Sequence, residues 1–214
     1  MEDRNAEKEP HLVNALPIGE EAAGGFEPEP TNPTDAWEGG WPQTPREFEA
    51  LVEMYLDRLV RYAFRRLGNL QDAEDVVQEV FVRAFAEQSS GRRTIARPGP
   101  YLYRMAANAC TDFFRKRRLT TVPLDEVGVE QMSDKGMNPA QAALAAEELR
   151  RAEELVRRLP IEQAEVVRLR VFDELRLHEI AEIVGCSINT VSSRLRYGFR
   201  KLREVVSRRE EIRP

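Results

Sequence analysis

Apolar positions along this 214-residue chain fall into stretches of helical period separated by stretches with none. Thr44-Pro45-Arg46-Glu47 opens the first periodic stretch. Thr44 suits an N-cap, Pro45 the first helical position and Glu47 the far end of a capping box. Phe48, Leu51, Val52, Tyr55, Leu56, Leu59, Val60, Ala63, Phe64 and Leu67 then recur in steps of three and one, which predicts one apolar face of a long helix, and Gly68 supplies its stop. A second helix is expected from near Asp72. It would place Ala73, Val76, Val77, Val80, Phe81, Ala84 and Phe85 inward and Glu74, Asp75, Gln78, Glu79 and Arg83 outward. Residues 88–100 read as a loop by composition. A third helix is expected from about Tyr101 to Arg118, apolar and aromatic at its start and basic at its end.

Residues 119–139 contain Pro123, Gly128, Gly136 and Pro139 without a sustained period and read as a linker. Helical signal returns over Ala140–Leu159, Ile161–Phe172, His178–Val184 and Ile188–Val206. The expectation is an all-α chain of two small helical domains. A three-helix N-terminal unit spans 44–118, a flexible acidic linker 119–139, and a four-helix C-terminal unit with a helix-turn-helix 140–209. Residues 1–43 are rich in Pro and Gly, sparse in apolar residues and aperiodic, so they read as a disordered acidic arm. Trp37 and Trp41 stand out in it, as exposed aromatics of a tail or as a short docking motif.

The net charge of −5 conceals an asymmetry. Residues 1–50 hold twelve acidic and three basic side chains, net −9, which leaves the rest of the chain at +4. Residues 119–149 are acidic again, with six carboxylates against one lysine. The remaining segments are basic enough that the global balance is no argument against nucleic acid. No run of about 18 uncharged apolar residues occurs, and no apolar run follows a basic N-terminus, so neither membrane insertion nor a signal peptide is expected. Two cysteines and two histidines give little material for a disulfide framework, a zinc cluster or a His-based catalytic centre. No cofactor or metal is expected, and a reducing, cytoplasmic setting fits.

The most specific local pattern is Leu177–Arg203. Ala181 is small where two helices cross, Gly185 allows a left-handed turn four residues later, and Val191 plugs the second helix into a core completed by Ile180, Val184, Ile188 and Leu195. This is helix-turn-helix spacing. Ser187 can cap the second helix. Its outward positions, Asn189, Thr190, Ser192, Ser193, Arg194 and Arg196, suit base edges and phosphates, and Arg200, Lys201 and Arg203 extend a basic stripe. A solvated amphipathic helix is the plainer alternative for the stripe alone. The third helix offers a second surface, where Tyr101, Tyr103, Phe113 and Phe114 sit among Arg104, Asn108, Arg115, Lys116, Arg117 and Arg118. Aromatics among cations bind unstacked bases, although most of these rings could equally be core. The carboxylates at Asp72, Glu74, Asp75 and Glu79 have no nucleophile motif or phosphate loop beside them, and no catalysis is expected.

Asp72–Phe85, with the sequence DAEDVVQEVFVRAF, resembles the second conserved region of bacterial sigma factors of the extracytoplasmic-function (ECF) group in the sigma-70 family. Tyr101–Arg118 resembles the adjoining promoter-opening helix, and Leu159–Arg203 the fourth region. The resemblance implies that Asp75, Gln78 and Glu79 dock on the clamp helices of the largest RNA polymerase subunit. It implies that Tyr101, Arg104, Asn108, Asp112 and Arg115–Arg118 engage the minus-ten element and its melted non-template strand. The helix from Ser187 to Lys201 would read the minus-thirty-five element. The partners implied are core RNA polymerase, including its flap, promoter DNA and an anti-sigma factor. By the same analogy, the acidic linker would thread toward the polymerase active-site channel. The chain departs from the pattern with Tyr101 in place of a usual Trp, with a longer arm, and over residues 88–100. Two other readings compete: a conventional helix-turn-helix regulator with a helical sensing or dimerisation domain, and a pure interaction protein.

Overall fold

A computed structural model of the chain describes residue 37 and residues 40–90, 95–119 and 139–211. The rest of the expected arm and residues 120–138 of the expected linker lie outside the described residues. Among the described residues there are seven helices and no strand: α1 Pro45–Leu67, α2 Leu70–Ser90, α3 Pro98–Leu119, α4 Pro139–Val156, α5 Ile161–Val171, α6 Leu177–Val184 and α7 Ile188–Glu211. They fall into two compact units. One lies within Pro30–Glu130 and Asp173–Val191, the other within Gln131–Phe172 and Ser192–Pro214.

In the first unit α1, α2 and α3 pack pairwise, and α6 packs on α3. Helix α1 begins as its sequence predicts, with Thr44 Oγ1 accepting the Glu47 amide at 3.2 Å. The Glu47 carboxylate reaches one residue farther back than a standard capping box, to the Gln43 amide at 2.7 Å. Leu51, Tyr55, Leu59 and Ala63 are fully buried. Burial of a residue such as Leu51 or Leu59 contributes about 1.5–3 kcal/mol. Leu56, expected inward, is exposed, whereas Tyr62 and Arg65 beside the expected stripe are buried. Two partner helices enclose α1, so its buried arc is wider than a single-sided pattern suggests.

Arg65 is buried because it meets a buried anion. Its Nη2 lies 2.6 Å from Asp173 Oδ1, and the Tyr103 hydroxyl donates to the same oxygen at 3.1 Å. Burial, and secondarily the Asp173 carboxylate, push the Tyr103 phenol well above its ordinary pKa, with Arg65 and Arg58 opposing.

Both ends of the expected loop 88–100 are helical. Helix α2 starts at Leu70, ahead of Asp72, because Asn69 Oδ1 accepts the Asp72 amide at 3.0 Å, and it continues to Ser90. Helix α3 starts at Pro98, since a proline in the first turn gives up no helical hydrogen bond. Gly99 makes that start possible: a Cβ there would lie 2.5 Å from the Tyr55 hydroxyl. The chain before α1 also differs from the exposed-tail expectation. Trp41 is only 7% exposed and Pro42 is buried beside it. Trp37 is half-buried, with Nε1 donating to the Gly40 carbonyl at 3.0 Å.

In the second unit α4 packs on α5. Leu155, Val156, Leu159, Ala164, Val166, Val167, Leu169, Leu195, Phe199 and Leu202 are buried. Glu153, a charged residue the pattern places at no special position, is buried too. Arg168 donates to its Oε1 from Nε at 2.8 Å and from Nη2 at 2.6 Å.

Candidate nucleic-acid interface

The turn between α6 and α7 has the geometry its residues predict. Gly185 sits at φ 70°, a left-handed conformation that costs glycine nothing and other residues about 1–2 kcal/mol. Its amide and that of Cys186 both donate to the Ala181 carbonyl, at 2.9 and 3.2 Å. Ser187 Oγ then accepts the Thr190 amide at 3.1 Å and caps α7, and Val191 is fully buried. Ile188 does not join that core: it is 48% exposed. It is the first helical residue, and helical side chains tilt toward the N-terminus, which carries this one beyond the end of the packed surface.

Around that capped end, Ser187 and Asn189 are exposed, and Thr190, Ser192 and Ser193 are half-buried. Arg196, Arg200 and Lys201 are exposed farther along. Arg194, expected to point freely outward, is instead tied to Glu162 at 2.6 Å and is half-buried. Tyr197 was not singled out by sequence. The guanidinium carbons of Arg196 and Arg200 stand 5.4 and 4.9 Å from its ring centre, so one ring holds two cations of the basic stripe. Its signal was an aromatic lying between arginines at positions one before and three after.

Helix α3 sorts its candidates by face. Leu102, Tyr103, Ala106, Ala109 and Cys110 are buried, so Tyr103 belongs to the core rather than to a base platform. Arg104, Asn108, Arg115 and Lys116 are exposed, and Tyr101, Asp112 and Arg117 half-buried. Tyr101, Arg104, Asn108, Asp112 and Arg115 recur along one stripe of the helix, in steps of three, four, four and three, whereas Arg117 lies off that stripe. Asp112 pairs with Arg115 at 3.1 Å, and Arg117 lies 3.9 Å from Asp72 of α2. The Arg118 side chain lies outside the described residues. Phe113 is half-buried, and Phe114 is exposed and meets it edge-on at 6.1 Å.

On α2, Asp75, Gln78 and Glu79 are exposed while Ala73, Val76, Val77 and Val80 are buried. Asp75 accepts from Gln71, and Glu79 pairs with Arg83. These are solvent-side contacts of one helix turn and leave the carboxylates on the surface. Among the described residues no group of His, Cys, Asp and Glu could hold a metal ion, both cysteines are free thiols, and no helix is long and apolar enough to cross a membrane.

Sequence comparison decides what these surfaces belong to. The family model of sigma-70 region 2 matches residues 51–120, and that of sigma-70 region 4 matches residues 149–202. The chain is 33% identical over 167 residues to the ECF RNA polymerase sigma factor SigW of Bacillus subtilis, a match covering 73% of this chain and 87% of SigW. The chain belongs to the ECF sigma factors. This sigma factor is also 30% identical over 165 residues to the RNA polymerase sigma-E factor of Streptomyces coelicolor, covering 77% of this chain and 88% of that one. Its fold is similar to that of the sigma factor RpoE in a co-crystal with the anti-sigma factor NepR from Bartonella quintana. The TM-score is 0.59 at 20% identity, over 76% of this chain and 98% of that one. It is similar as well to CnrH, solved in complex with the cytosolic domain of CnrY, with a TM-score of 0.55 at 21% identity over 92% and 96% of the two chains.

Proposed function

We propose that this ECF sigma factor binds core RNA polymerase and directs it to promoters, with no catalysis of its own. The observation that carries the reading is on α2. Asp75, Gln78 and Glu79 project from one side of a helix that buries Ala73, Val76, Val77, Val80, Phe81 and Ala84 on the other, with Phe85, expected inward, 47% exposed near its end, and folding leaves the three polar residues available for a partner. The clamp helices of the largest polymerase subunit are that partner. Helix α3 presents Tyr101, Arg104, Asn108, Asp112, Arg115 and Lys116 to the minus-ten element, with Arg117 and Arg118 completing the basic run in sequence. Its exposed cations hold backbone phosphates while its ring receives an unstacked base. The start of α7 reads the minus-thirty-five element in the major groove. Ser187 and Asn189 lie at its capped end, where short polar side chains reach base edges, and Arg196, Arg200 and Lys201 hold phosphates on either side.

Residues 44–118 serve as the region 2 domain and 140–209 as the region 4 domain, the latter also meeting the polymerase flap. The acidic residues between them pass toward the active-site channel, where negative charge resembles that of a transcript. The factor works in the cytoplasm, where polymerase is. The fold match to the sigma factor RpoE, solved with the anti-sigma factor NepR, supports control by an anti-sigma factor here too. The test is retention of purified core polymerase on the immobilised chain. Stoichiometric capture is expected. DNA binding without any capture of polymerase would make the chain a conventional helix-turn-helix regulator.

A further inference from the structure

Trp41 precedes α1 in sequence yet is built into the start of α3. Its amide donates to the Ile95 carbonyl at 2.9 Å, which ties it to the segment leading into α3. Its indole meets the Tyr101 ring edge-to-face, with centroids 5.5 Å apart and planes at 87°. Its own carbonyl accepts from the Gln43 side chain at 2.7 Å, which fixes the segment against the cap of α1. Tyr101 is held at two further points: its hydroxyl donates to Glu87, and the Arg104 guanidinium carbon lies 5.4 Å from its ring centre. One detail separates this tryptophan from a simple core residue. Its Nε1 is buried with no hydrogen-bond partner, so the ring is held for its packing at the expense of an unsatisfied donor.

We propose that Trp41 is a positioning residue for capture of the melted strand. It fixes the Tyr101 ring and the Ile95 backbone together, so that an unstacked non-template base meets a platform already in place. This rests on the reading of α3 given above. The physical gain is preorganisation: a ring and a loop end that are immobilised before DNA arrives lose no freedom on binding. The chemistry recognised is a single-stranded deoxynucleotide, through base stacking on Tyr101 and backbone contact at Arg104.

The test uses the full chain assembled with core polymerase. A forked duplex with a randomised non-template overhang is enriched on the wild-type holoenzyme, and the enriched fork, carrying 2-aminopurine in the overhang, becomes the probe. Trp41→Phe keeps a ring and removes the orphaned donor, so it should fold and bind the fork like wild type. Trp41→Leu keeps apolar bulk without a ring. It should weaken fork binding by about two- to tenfold, the range expected for one aromatic pair, with affinity for core polymerase unchanged. In a Tyr101→Leu background, Trp41→Leu should cost nothing further, because the partner it positions is gone. Full fork binding by Trp41→Leu, additive losses in the double variant, or an equal loss of core affinity would each overturn the proposal. A wild-type holoenzyme that binds the fork no better than the matching blunt duplex would instead overturn the reading of α3, and the proposal with it.

Discussion

Arg65 and Asp173 lie 108 positions apart in sequence and carry opposite charges where neither reaches water. Removing one member of such a pair takes away a buried counter-charge, at a cost of about 3–5 kcal/mol. Asp173→Ala should lower the unfolding free energy by that amount in a urea titration, a far larger effect than at any exposed carboxylate. Tyr103 adds a pH signature. Its phenol holds its proton to higher pH in the folded state than in the unfolded chain. The associated stability is therefore complete below the ordinary phenol value of about 10 and is lost as the pH rises beyond it. Tyr103→Phe should flatten that alkaline loss of stability while giving up the hydrogen bond to Asp173, and thermal melts at neutral and alkaline pH would separate the two effects. None of this trio was legible in the sequence. A helical period marks which face is inward, but not which charged residue on a neighbouring arc finds an anion from a distant segment.

Single elements were far more legible. The capped start of α1, the Ala181–Gly185–Val191 spacing and the Ser187 cap are all local chemistry, and the structure forms each of them. Ile188 and Arg194 differ from expectation because their surroundings are set at helix ends and across helices, at the first turn for one and by Glu162 for the other. That ion pair makes a prediction for α7. Glu162 is exposed, so Glu162→Gln should leave stability unchanged while removing the ion pair to Arg194, and should raise DNA affinity most at low salt. Arg196→Ala should weaken binding to all sequences alike and reduce the salt slope by about one. A base contact from Arg194 would show instead as relaxed specificity at one position, read by binding to a promoter panel at several salt concentrations. On α2, Asp75→Ala with Glu79→Ala should leave the melting temperature unchanged, since both side chains are exposed. The pair should weaken core polymerase binding, each losing about 1–3 kcal/mol where its charged hydrogen bond is buried at the interface.

At the scale of the whole molecule, the all-helical class and the order of elements followed from periodicity, while packing between distant helices did not. The contact of α6 with α3 is non-local, and no repeat of apolar residues encodes it. The boundary of the N-terminal arm shows the same limit. An aperiodic, Pro-rich composition reads as arm throughout, yet Trp41 and Pro42 at its end are buried. Deletion of residues 1–36, aperiodic and sparse in apolar residues, should leave the melting temperature unchanged. Deletion of residues 1–43 removes a buried indole and should lower stability by up to about 3–5 kcal/mol. The division of charge, −9 in the first 50 residues against +4 in the rest, bears on function more directly than the global −5 does. In the function proposed above, the cations of the latter part serve DNA and the α2 carboxylates serve polymerase. Both surfaces are proposed to act in one initiation complex, and run-off transcription from a linear promoter-library template with purified core polymerase is the decisive measurement. Discrete transcripts from a shared promoter pattern are expected only when the chain is added, and are lost with the Asp75→Ala, Glu79→Ala double variant. Transcripts that are the same with and without the chain would contradict the proposal.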